Sequence, residues 1–198
     1  MYASIRDFAG GAALFALTAF LAAGCATTIV RDEPLRISVA PGADVETSPL
    51  AEALLAHERC VSAEALEVEW KGKAFTAEVV LKGDGESLSV VLLAPQMRLA
   101  TLVVSKPHRI EWERDRRVPR SLDPEMVLAD IAFARLPAAV LAAALGDRFA
   151  VSDDGRRRSV SFNSREIRTL ERLEGGDRLF SNPSAGYVCR IVSMEAAP

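Results

Sequence analysis

Catalytic equipment is what this sequence most clearly lacks. It holds two histidines, His57 and His108, and His57-Glu58-Arg59-Cys60 is not the H-E-x-x-H spacing of a zinc protease. It has no G-x-S-x-G elbow and no phosphate-binding glycine loop. Carboxylates are plentiful, but they fall on the wet faces of strand-like stretches, so no acid pair is set up for general acid–base work. Both histidines read as surface or strand-end residues. A basic excess is also missing: 24 Lys and Arg stand against 27 Asp and Glu, a formal charge of −3, which leaves no electrostatic footprint for nucleic acid. Aromatics are only 6%, so aliphatic side chains carry the apolar surface. The expectation is a protein that is not an enzyme and takes no cofactor and no metal. At 198 residues it is one domain of ordinary size with a real core.

What is present begins with residues 1–25, MYASIRDFAGGAALFALTAFLAAGC. Arg6 precedes an uncharged run of small and apolar residues, Gly10 to Ala23, too short for an ordinary membrane span and suited to a signal peptide. It ends in Leu21-Ala22-Ala23-Gly24-Cys25, which resembles the lipobox of bacterial lipoproteins, with Ala22 where that pattern prefers leucine. The resemblance implies cleavage after residue 24 and fatty acylation of Cys25, such as by palmitate, on both thiol and amine. Each buried CH₂ then contributes about 0.8 kcal/mol to membrane attachment. Ala26 is not the aspartate that the sorting rule of these lipoproteins associates with the inner membrane, so the resemblance implies the periplasmic face of the outer membrane. Residues 25–49, with Pro34, Pro41, Gly42 and Pro49, read as a lipidated N-terminus and tether, in which Ile37 and Val39 add at most a short edge strand.

Residues 50–198 read as the folded domain. Leu50, Ala53, Leu54 and His57 share one side of a short helix opened by Ser48-Pro49. From Cys60 the period falls to two. Leu66, Val68 and Trp70 alternate with Glu67 and Glu69, and Phe75, Ala77, Val79 and Leu81 alternate with polar residues. Leu88 to Leu93, Met97 to Val104 and Arg109 to Glu113 complete five strands joined by tight turns, an antiparallel meander. Further short strands follow at 149–152, 159–162, 167–172, 179–180 and 187–194. Nine to eleven short strands favour a strongly curled sheet or a barrel.

Residues 121–147, SLDPEMVLADIAFARLPAAVLAAALGD, interrupt the strands with two helices. Asp123 is the N-cap, Pro124 opens the first helix and Glu125 stands in its first turn. Pro137 opens a second, and Ala138 to Leu145 carries no polar side chain before Gly146 ends it. A helix that is apolar all round is expected to be covered on most sides.

The patches Ser121-Leu122-Asp123-Pro124, Val127-Leu128-Ala129-Asp130 and Leu136-Pro137-Ala138-Ala139, with Leu93-Ala94-Pro95 upstream and Gly186-Tyr187 near the end, resemble a bacterial lipoprotein family known as domain of unknown function 3261, over roughly residues 60–195. That family is similar to the lipoprotein-localisation factors LolA and LolB. The resemblance implies a mainly β (α+β) fold: a curled, incomplete antiparallel β-barrel with a helical insert lying over its hollow. It also implies an outer-membrane lipoprotein that binds or transfers an acyl or polyene lipid-like molecule.

The residues expected in the cavity or lid are Met126, Val127, Ile131, Phe133, Val140, Leu141 and Leu145 from the insert, with Leu88, Val90 and Leu92 from the sheet. The second helix either fills the core permanently or shifts as a lid; both readings stand at this point. Cys60 and Cys189 form a disulfide or remain free thiols. Arg114, Arg116, Arg117 and Arg120 lie in solvated turns or meet anionic headgroups near the cavity mouth. The alternative to a lipid carrier is a structural or accessory subunit of an envelope assembly complex, with a protein partner in the cell envelope.

Overall fold

A computed structural model describes residues 27–32, 36–107, 109–118 and 122–194. The expected signal peptide (1–24), Cys25, His108, Arg120 and Ser121 lie outside the described residues.

The fold is mainly β, a large antiparallel sheet that curls without closing. Strands β4 (Val61–Trp70), β5 (Lys73–Gly83), β6 (Ser87–Ala94), β7 (Met97–Ser105) and β8 (Arg109–Arg114) form the first meander. Strands β9 (Phe149–Asp153), β10 (Arg157–Phe162), β11 (Arg165–Arg172), β12 (Arg178–Asn182) and β13 (Tyr187–Ser193) form the second. The two meanders join where β13 pairs with β4, and β1 (Thr27–Arg31) is added beyond β8. The eleven strands run β1-β8-β7-β6-β5-β4-β13-β12-β11-β10-β9, and the end strands β1 and β9 do not pair with each other. Alternation sets the faces as expected: Ala77, Val79 and Leu81 of β5 are buried, while Thr76, Glu78 and Lys82 are exposed.

The hollow of the sheet holds helices α1 (Thr47–His57), α2 (Pro124–Arg135) and α3 (Ala138–Leu145), and a separate hairpin, β2 (Arg36–Ala40) with β3 (Ala43–Glu46). This corrects the tether. Ile37, Val39, Ala43 and Val45 are buried, and β1 is an edge strand of the main sheet. Arg36 and Ser38 alternate with those apolar residues, so the segment looks half polar in sequence while its other face is core. Its tight turn at Pro41-Gly42 uses the left-handed backbone glycine takes freely, with Gly42 at φ 73°.

The insert has the two expected helices. The Asp123 side chain accepts a 2.8 Å bond from the Met126 amide, Pro124 stands at the start of α2, and Gly146 ends α3 at φ 77°. One expectation fails. Only Leu141 of α3 is buried, Ala139 and Ala143 are exposed, and the rest is intermediate, so this apolar helix lies on the surface of the core.

Cys60 and Cys189 are both free, which corrects the disulfide alternative. Their strands are neighbours, but Cys60 immediately precedes β4 while Cys189 pairs with Val68 near its other end. At 3.3 Å per residue the separation is about 26 Å, far beyond bridging reach. Cys60 is exposed; burial pushes the Cys189 thiol up to about 12. A maleimide is therefore expected to modify Cys60 of the folded protein within minutes and Cys189 only after unfolding. Equal rates at both thiols would contradict this placement.

Candidate functional site

The hollow is apolar on one side and ionic on the other. Toward β5–β8, Leu88, Val90, Leu102, Val104 and Trp112 are closed off from solvent in one core with Leu50 and Leu54 of α1. Full burial of each such side chain stabilises the fold by about 1.5–3 kcal/mol before entropy is counted. Toward β9–β13 the inner face carries arginines. Arg168 is buried; its Nε donates to Asp130 Oδ1 of α2 at 2.7 Å, and its Nη1 donates to the carbonyls of Val39 and Ile167 at 2.9 and 3.0 Å. The other Asp130 oxygen accepts from Asn182 Nδ2 at 3.1 Å and from the Tyr187 hydroxyl. Burial, with the Asp130 charge next, pushes the Tyr187 phenol well above its ordinary value, so it stays protonated and donates.

Three further sets of contacts fix α2. Arg158 Nη1 donates to the carbonyls of Phe133 (2.9 Å) and Leu136 (2.6 Å), which satisfies the end of the helix, while Arg158 Nε bonds Asp153 at 2.8 Å. Arg135 lies 3.1 Å from Glu64, which also pairs with Arg178, and 3.0 Å from Glu58. At the N-terminal end, Arg31 of β1 pairs with the buried Glu125. Opposite Val160 and Ser161 of β10, β11 carries one extra residue, Ile167, a bulge that lets consecutive residues Ile167 and Arg168 both be buried. The uniformly apolar trough expected from the sequence is thus corrected on this side. The inward charges are tolerable because each is paired and hydrogen-bonded.

Between these regions, under α3, lies a small apolar cavity. Val39, Leu50, Phe133, Leu141, Phe149 and Val160 are among its lining residues, with Leu145, Ala129, Ile167 and the buried Arg168 completing the wall. Its volume is about 20 Å³, room for about one water molecule. Of the residues expected there, Phe133, Leu141 and Leu145 line it. Met126, Val127, Ile131, Val140 and Leu92 are partly buried against the core, while Leu88 and Val90 lie deeper, away from it. The strand residues Phe149 and Val160 escaped the sequence reading although each is followed by a less buried small residue, Ala150 and Ser161. Val39 and Arg168 escaped it because only the fold brings the hairpin and β11 together.

Of the arginines before the insert, Arg114 is half-buried and its Nη1 donates to the Val118 carbonyl at 2.7 Å, so it secures its own loop. Arg117 grips Asp115 with two side-chain bonds, and with its own amide holds that carboxyl down to about 2. Arg116 is exposed. Among the described residues, no group of three or more His, Cys, Asp or Glu is placed to hold a metal ion, and no helix is long and apolar enough to cross a membrane.

A family model described as protein of unknown function (DUF3261) matches residues 62–195. A solved structure similar to this chain is that of a DUF1329 family protein from Desulfovibrio piger ATCC 29098, at 10% identity and a TM-score of 0.41, covering 75% of this chain and 90% of that one. No curated protein matches the chain.

Proposed function

The chain belongs to the DUF3261 family of proteins of unknown function, and from that premise we propose that it is a non-enzymatic lipoprotein that binds or passes on an acyl or polyene lipid-like molecule in the hollow under α3. In this reading Cys25 carries the acyl anchor, and the protein resides on the periplasmic face of the outer membrane. The observation that carries the proposal is the contrast between the two insert helices. Ion pairs along its length fix α2. By contrast α3 is apolar throughout, has Leu141 alone buried, and covers a cavity whose wall is apolar apart from Arg168. A volume of about 20 Å³ cannot hold a lipid chain, so cargo enters only if α3 moves. The connections at Leu136-Pro137 and Gly146 are where that motion would pivot. An acyl chain replacing α3 against the wall recovers about 25 cal/mol per Å² of apolar surface it buries.

The test is the organic extract of the full chain purified in mild detergent. Mass spectrometry is expected to find a fatty-acyl or polyene lipid in stoichiometric amount, beyond the chains attached to Cys25. An extract free of such lipid, together with no uptake of a fluorescent fatty acid, would overturn the proposal.

A further inference from the structure

We infer that the hollow under α3 holds its cargo by an ester carbonyl, hydrogen-bonded to Nη2 of Arg168, so that the ligand class is an uncharged acyl ester. This rests on the carrier reading above and names the chemical group that reading leaves open. Two buried arginines stand on the inner face of β10 and β11, and they differ in one respect. Arg158 uses all three of its nitrogens: Nε and Nη2 meet Asp153, and Nη1 meets the carbonyls of Phe133 and Leu136. Arg168 uses two. Its Nε donates to Asp130 and its Nη1 to the carbonyls of Val39 and Ile167, whereas Nη2 has no acceptor among the described residues. The Arg168 side chain is only 5% exposed, yet Nη2 is not among the buried polar atoms sealed from solvent. A donor that deep costs stability unless something accepts from it.

The cavity under α3 adjoins that donor. Among the described residues lining it, Arg168 alone has a polar side chain, and α3 contributes Leu141 and Leu145 to the same wall. The bonds that hold the guanidinium go to α2, to the 36–46 hairpin and to β11, and none goes to α3. The donor therefore keeps its place when α3 moves, and that movement enlarges the apolar space beside it. A water in the closed cavity would find a single polar side chain, where an ordered water usually makes about three bonds, so a ligand acceptor displaces it readily.

The wall selects among acceptors. It offers no acceptor side chain, so an alcohol, an amide or a protonated acid would bury an O–H or N–H unpaired. An ionised carboxylate would add a charge to a hollow whose charges are already matched: Arg168 with Asp130, Arg158 with Asp153, and Arg135 and Arg178 with Glu58 and Glu64. A bare hydrocarbon, saturated or polyene, would leave Nη2 without an acceptor. An ester carbonyl accepts, brings neither charge nor donor, and belongs to a chain that the remaining apolar wall can cover.

The test compares methyl palmitate with palmitate and with hexadecyl methyl ether, which keeps the chain and lacks the carbonyl. Equilibrium dialysis against the full chain in mild detergent gives each Kd, referred to the ligand's partition into the detergent alone. The ester is expected to bind about tenfold more tightly than either competitor, or better, the order expected when one hydrogen bond to a charged donor is made or lost. The infrared carbonyl stretch of the bound ester, isotope-labelled at that carbon, is expected to fall below its value in detergent. The double variant Asp130→Leu, Arg168→Met removes donor and counter-charge together, so ester and ether should bind it equally and the stretch should return. The ligand comparison on the unaltered protein stands whether or not that variant folds. Equal affinity of ester and ether there, or tighter binding of palmitate than of its ester, would overturn the inference and leave the carrier reading in place. Binding of none of the three would overturn the carrier reading and this inference with it.

Discussion

Replacing Asp130 by alanine is expected to lower folding stability by about 3–5 kcal/mol, more than any surface change in this protein. The physical reason is what it leaves behind. Arg168 is buried, and among the described residues Asp130 is the one carboxylate bonded to its guanidinium. Asn182, which is fully buried, and Tyr187 also lose their acceptor. An uncompensated guanidinium in the hollow costs several kcal/mol, whereas the intact pair contributes little net stability over an apolar replacement. The double variant Asp130→Leu, Arg168→Met is therefore expected to recover much of the loss, although Asn182 and Tyr187 remain short of a partner. Urea unfolding of the two single variants and the double variant measures this coupling. A thermal midpoint lowered by about 10 °C is expected for Asp130→Ala. A cost below about 1 kcal/mol would mean that the cluster is open to water rather than buried.

The second large effect concerns α3. Leu141→Ala removes the one buried side chain of this helix, at 1% exposure, and enlarges the cavity it closes. Leucine-to-alanine changes in cores cost about 2–5 kcal/mol, and the lower part of that range suits a helix that lies half on the surface. If α3 is a movable cover, the loss is local. Amide exchange across residues 138–145 should then accelerate on the order of a hundredfold, while β5, β6 and β7 keep their protection. Uptake of a fluorescent fatty acid should rise in the same variant. A uniform drop in protection over the whole sheet would instead place α3 in the permanent core, and the carrier reading would lose its door.

The insert shows how far local chemistry reached. Asp123, Pro124 and Gly146 carry start and stop signals that depend on backbone geometry within a few residues, and the helices begin and end where those signals stand. The strands after Cys60 were legible for the same reason, since Leu66, Val68 and Trp70, or Ala77, Val79 and Leu81, declare an inward face by alternation alone. The cavity was legible only through Phe133, Leu141 and Leu145, which lie on the insert itself. Its other wall comes from β2, α1, β9, β10 and β11, whose approach no local pattern encodes.

By itself, then, the sequence determined the element types, the antiparallel meanders and the helical interruption, because propensity, capping and a period of two act over short distances along the chain. Tertiary structure decided the rest. Pairing β13 with β4 joined the two meanders, and the 36–46 hairpin went into the core rather than remaining a tether. Arg31 found Glu125, and Arg168 found Asp130, across 94 and 38 positions. In sequence those charges look like ordinary solvated residues. Only the curl of the sheet around α2 takes Glu125 and Arg168 out of water and makes a partner for each a requirement.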